Sequence, residues 1–230
     1  MKVLAVRHVE IEHLGVLERI LPELGFTYEY LDTPKGERLR GPLEEYSALI
    51  VLGGYMGAYE EAKYDFLPYG FKLIEEALKV NKPFLGICLG AQMLAKVLGS
   101  KVYPGEKGKE IGWLEIFKVA DHPYFEAFPQ KFNVFQWHGD TFELPKGALR
   151  VFASDRYENQ GFVYGRAVGL QFHLEVDRVL AKLWSRIYEG ELKEEGIQPS
   201  KLTEISEKES QDLEKLIRHF LKGFLGFDKK

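Results

Sequence analysis

With a single cysteine, Cys88, among its 230 residues, the chain cannot form an internal disulfide, and scaffolds stapled by disulfides are excluded. Basic residues hold no majority. Lys plus Arg number 31 against 35 Asp plus Glu, a formal charge of -4, which argues against nucleic acid or an anionic membrane as partner. No apolar run approaches the roughly 20 residues that cross a bilayer. The start, Met1-Lys2-Val3-Leu4-Ala5-Val6, enters strand-like sequence without the basic-then-apolar layout of a signal peptide. Internal repeats and a convincing domain boundary are also missing. What remains is the expectation of a cytoplasmic protein acting on a small molecule, with 45% hydrophobic residues to build one large domain over residues 1–230.

What is present alternates. Lys2 to Val6, Phe26 to Leu31, Ala48 to Leu52 and Pro83 to Ile87 read as strands, while His13 to Leu24, Asp65 to Val80 and Ala91 to Leu98 read as helices. Strands and helices alternating at this spacing imply a parallel sheet covered on both faces, with ligands at the carboxyl ends of its strands. From Lys101 to Phe172 the strand candidates crowd together and imply an added antiparallel portion: Ile111 to Val119, Phe132 to Trp137, Leu149 to Ala153, Gly161 to Tyr164 and Ala167 to Phe172. Helical pattern returns at Val176 to Tyr188. A polar stretch from Glu189 to Lys201 follows, and Ser206-Glu207-Lys208-Glu209 reads as a capping box for a last amphipathic helix to about Leu225. Residues from about 190 to 230 thus form a helical extension.

Cys88 sits in Gly86-Ile87-Cys88-Leu89-Gly90-Ala91-Gln92, on the turn between a buried strand and a helix. A lone cysteine in an apolar run is commonly a small buried hydrophobe. Glycines on both sides, however, permit the tight corner that makes a nucleophile protrude, and the N–H groups and dipole of the following helix favour a thiolate. In Gln171-Phe172-His173-Leu174-Glu175, a strand would put His173 and Glu175 on one face, where a carboxylate orients an imidazole and stabilises its charged form. Such a pair taken alone is usually an ordinary ion pair.

Together these segments resemble the class I glutamine amidotransferases, of the stand-alone, GMP-synthase-like glutaminase type, from about Val3 to Glu175. Leu52-Gly53-Gly54 is similar to the family's oxyanion loop, Gln136-Trp137-His138-Gly139-Asp140 to its substrate-holding segment, and Asn159-Gln160-Gly161-Phe162 to its Asn-Gln-Ala-Phe stretch. The resemblance implies a three-layer, flavodoxin-like α/β fold and a triad of Cys88, His173 and Glu175. It further implies backbone N–H groups of Gly54 and Leu89 as the oxyanion hole, and Gln92, Trp137, His138 and Gly139 around the substrate. Tyr55 and Leu174 stand where the family commonly has proline, but neither replaces a reacting group. The implied reaction is hydrolysis of the glutamine side-chain amide through a γ-glutamyl thioester. Its ammonia would pass to a separate synthetase chain, since nothing after Glu175 is long enough to be one.

The alternatives are a free-standing γ-glutamyl hydrolase and a non-catalytic binding or regulatory module. Leu89 speaks against the related cysteine-elbow proteases and stress proteins, which usually have histidine there. No cofactor is implied. His8, Glu10, Glu12 and His13 match no metal-ligand spacing, and no metal is expected. His138, outside any His-x-Glu pairing like that of His173 and Glu175, reads as a residue that shapes its loop.

Overall fold

Every residue from Val3 to Val6 in β1 (Lys2–Arg7) is buried, with Val3 and Ala5 in one hydrophobic cluster and Leu4 and Val6 in a second. That alternation organises the fold, which the computed structural model describes over residues 1–226. The first half continues through α1 (Leu17–Glu23), β2 (Thr27–Asp32), β3 (Ala48–Val51), α2 (Leu67–Lys79), β4 (Phe84–Ile87) and α3 (Leu89–Val97). The strand-rich part comprises β5 (Val102–Pro104), β6 (Glu110–Lys118), β7 (Lys131–His138), β8 (Asp140–Phe142), β9 (Leu149–Ala153), β10 (Gly161–Tyr164) and β11 (Ala167–Leu170). Four helices follow: α4 (Arg178–Ile187), α5 (Glu189–Glu194), α6 (Pro199–Glu204) and α7 (Ser206–Leu225).

A nine-stranded sheet runs in the order β2-β1-β3-β4-β11-β10-β9-β6-β7. Strands β2 through β11 in that order are parallel, and β10, β9, β6 and β7 extend the sheet antiparallel. Strands β5 and β8 form a separate antiparallel pair. Helices α1 and α4 to α7 contribute to the first cluster and α2 and α3 to the second, so two helical layers enclose the sheet. This is the flavodoxin-like α/β architecture. Helix α7 packs inward through Leu213, Ile217, Phe220 and Phe224, and Phe220 stacks on Phe125 with ring centroids 5.2 Å apart. Among the described residues, no helix is long and apolar enough to cross a membrane.

Three local readings need correction. Helix α1 begins at Leu17, because the chain turns at Gly15 (φ +53°) and sends the Val16 N–H to the Glu175 carbonyl instead of into a helix. The Ser206 capping box does not form. Ile205 carries helical φ and ψ straight from α6 into α7, and the Ser206 hydroxyl donates to the Leu202 carbonyl while accepting the Trp113 indole N–H at 2.8 Å. Lastly, β11 ends at Leu170, so residues 171–175 leave the ladder, with His173 held by an isolated bridge in which its N–H donates to the Phe135 carbonyl.

Candidate active site

Strands β4 and β11 pair in parallel with Ile87 opposite Leu170, which brings Cys88 and Gln171 to the same sheet edge. Cys88 has φ +53°, a left-handed conformation that a side chain adopts only under strain. The corner it forms is tight: a Cβ on Gly90 would lie 2.0 Å from the Val51 carbonyl oxygen, so no other residue fits there. Cys88 is the residue before α3 and its carbonyl accepts the Ala91 and Gln92 N–H groups. Gln171 Nε2 and the Trp137 carbonyl oxygen each lie 3.7 Å from Cys88 Sγ.

Past β11 the chain brings His173 to this sulfur. Its Nδ1 lies 2.7 Å from Glu175 Oε1, and both side chains are almost wholly buried. Burial opposes charge on the ring, but Glu175, and then Cys88, raise its pKa well above the ordinary histidine value. The Trp184 ring meets the imidazole edge-on, with centroids 4.9 Å apart. Leu174 is buried between the pair without spoiling its geometry.

The Gly53-Gly54 loop passes just above. A Cβ on Gly53 would lie 2.6 Å from Glu12 Oε2, 3.2 Å from His173 Cε1 and 3.6 Å from Cys88 Cβ, so the loop must be bare of side chain for these groups to converge. Buried His8 supports the loop from beneath, its Nδ1 3.2 Å from the Leu52 carbonyl oxygen; burial lowers its pKa to about 4 despite bonds to the Gly53 and Leu52 backbone.

A cavity of about 290 Å³ opens over the sulfur. Cys88, His173, Gly54, Gln92, Trp137, His138 and Gly139 all line it, so the sequence-derived site residues come together, with Glu175 behind His173. Leu89 follows the sulfur as the first residue of α3. The Gln92 amide donates to Gln171 Oε1 at 3.1 Å and to the Asp140 carbonyl at 3.4 Å, which ties α3 to both walls. Tyr55 lines the cavity.

His138 does have a carboxylate. Glu110 faces it across the β6–β7 ladder, with Oε2 2.7 Å from Nε2, while Nδ1 lies 2.8 Å from the Asp140 carbonyl oxygen. Burial works against ionising Glu110, but His138, Ser154 and Gln160 outweigh it and lower its pKa. Inspecting only the neighbours along one strand missed this partner; an antiparallel register supplies it from the next strand.

Sequence reasoning also missed Glu12, Lys109, Trp184, Tyr188 and Glu191, which complete the cavity wall. Glu12 is buried and its Oε1 accepts the Tyr188 hydroxyl at 2.8 Å. Burial raises its pKa, and His173 and Tyr188 oppose that rise. Glu191 accepts the Lys109 ammonium at 2.8 Å and the Trp137 indole N–H at 2.9 Å, so α5 closes one side of the opening. No periodicity or motif pointed to these residues; their signal lies in the tertiary contacts.

Comparison with known proteins follows the same geometry. Residues 13–181 match the family model "Glutamine amidotransferase class-I". A glutamine amidotransferase from Thermotoga maritima, known from its crystal structure, is 57% identical, with a TM-score of 0.96 and 98% coverage of both chains. A glutamine-hydrolyzing GMP synthase from Thermosipho melanesiensis is 33% identical over 76% of this chain, which spans only 33% of that relative's length. Gamma-glutamyl peptidase 4 of Arabidopsis thaliana is 30% identical, with 78% of this chain and 75% of that protein covered. With its elbow, its sheet and its sequence all in agreement, the chain belongs to the class I glutamine amidotransferase family.

Proposed function

We propose that the protein hydrolyses the side-chain amide of glutamine with Cys88, His173 and Glu175 as a triad. The observation that carries this reading is the convergence of a strained, cavity-facing sulfur with an imidazole whose other nitrogen is held by a buried carboxylate. Cys88, as thiolate, attacks the γ-carboxamide carbon, and the backbone N–H groups of Gly54 and Leu89 stabilise the oxyanion. His173, kept protonated beside Glu175, gives its proton to the departing nitrogen, and the carbon–nitrogen bond breaks. The neutral ring then takes a proton from water, which attacks the γ-glutamyl thioester and releases glutamate. Gln92 fixes the cavity wall, and the Trp137-His138-Gly139 backbone holds the amino-acid end of the substrate.

Release of ammonia to a separate synthetase chain fits the similarity to one part of a GMP synthase. The γ-glutamyl peptidase relative, which this chain matches over most of its length, favours a second reading in which the leaving group is a larger amine. Both share the acyl half of the reaction. Glutamate release from glutamine by wild type and by Cys88→Ala tests the mechanism: activity in the first and none in the second is expected, and equal rates would refute it. Turnover of γ-glutamyl amines against that of glutamine separates the two leaving groups.

A further inference from the structure

We propose that Glu12 binds the leaving nitrogen of the substrate and makes the site selective for amides. The inference rests on the triad reading above. It starts from the packing around Gly53, which lies among Glu12 Oε2, His173 Cε1 and Cys88 Cβ, so that the Glu12 carboxylate borders the reacting groups and lines the same cavity. Any acyl group attacked by Cys88 must place its leaving atom beside His173, which protonates it, in the cavity that Glu12 also lines. A buried carboxylate is costly unless its oxygens are bonded. Tyr188 satisfies Oε1, while Oε2 faces Gly53 at the edge of the cavity that Glu12 lines.

A carboxamide nitrogen carries two hydrogens that need acceptors. One N–H donates to Glu12 Oε2 as the thiolate attacks, which turns the nitrogen lone pair towards the His173 proton. The carbon–sulfur bond forms, the carbon–nitrogen bond breaks, the proton passes from His173 to nitrogen, and Glu12 gains and loses none. An ester oxygen has no hydrogen to offer and receives nothing from this bond. Both Glu12 and Tyr188 fall outside residues 13–181, the segment matched by the family model.

Glutamine and glutamate γ-methyl ester, assayed with wild type, Glu12→Gln and Tyr188→Phe, test the assignment. In Glu12→Gln the Tyr188 hydroxyl claims the amide oxygen and the amide nitrogen meets the substrate, donor against donor. The ratio of kcat/KM for amide over ester is expected to fall about 10- to 100-fold, the cost of losing one charge-assisted hydrogen bond. Tyr188→Phe lowers the ratio in the same direction by less. Equal losses on both substrates, or an unchanged ratio, overturn the assignment and leave Glu12 a structural residue. Thiol labelling of Cys88 by a glutamine-mimicking electrophile verifies that each variant is folded at the site. A wild type inert to both substrates overturns the triad reading and this inference with it, whereas an active wild type with an unaltered ratio removes this inference alone.

Discussion

His173 and His138 each meet a buried glutamate at 2.7 Å, and they differ in what the second ring nitrogen meets. For His173 it is the Cys88 sulfur and the cavity. For His138 it is the Asp140 carbonyl, while its glutamate is shared with Ser154 at 2.6 Å and Gln160 at 2.5 Å. One pair has a nitrogen left for a reacting atom; the other is a closed network. A carboxylate beside an imidazole therefore does not by itself mark a base, and the free end of the ring decides its use. His8 supplies the third case, a buried imidazole with backbone carbonyls and no carboxylate.

Three measurements put pressure on this contrast. Glu175→Gln removes the orienting charge from the open pair, and glutamine turnover is expected to fall about 100- to 1,000-fold, as for loss of general acid–base catalysis. Glu110→Gln strikes the closed network. Urea unfolding should show a loss of about 3 kcal/mol, because a buried partner is left unmatched, with a fall in turnover smaller than tenfold. Equal falls in turnover for the two variants would erase the distinction.

The third concerns His8, which in the unfolded chain gains its proton near pH 6.5 but in the fold only near 4. Below pH 6.5 the unfolded state binds more protons, so stability declines as pH falls towards 4, by up to about 3 kcal/mol. His8→Asn is expected to flatten that part of the stability–pH curve. An unchanged acid decline in the variant would show that His8 is not its source.

The sequence made the parallel half of the sheet readable because β1, β3 and β4 are buried on both faces and so appear as unbroken apolar runs. The elbow was readable for a related reason: glycines that must clear a backbone oxygen by ångströms leave a local mark at Gly86 and Gly90. Glu110 left no such mark, since its partnership with His138 depends on strand register, which no single segment records. The same applies to Glu12, whose neighbours in sequence suggested a loose polar cluster and whose neighbours in space are His173 and Tyr188. Within the expected helical extension, the separate bounds of α5 and α6 were hidden by polar composition; each buries one leucine, Leu192 and Leu202, too few for an amphipathic pattern to appear. Ser206 had the right spacing for a cap, but a helix already running past it removed the need.

Strand β11 inserts beside β4 only after the chain has traced the whole antiparallel extension, although β4 and its elbow come much earlier in synthesis. A nascent chain that has emerged only through α3 carries Cys88 without His173 or Glu175. In the proposed triad the sulfur therefore gains its base only on the long-range closure of the sheet, when β11 pairs with β4.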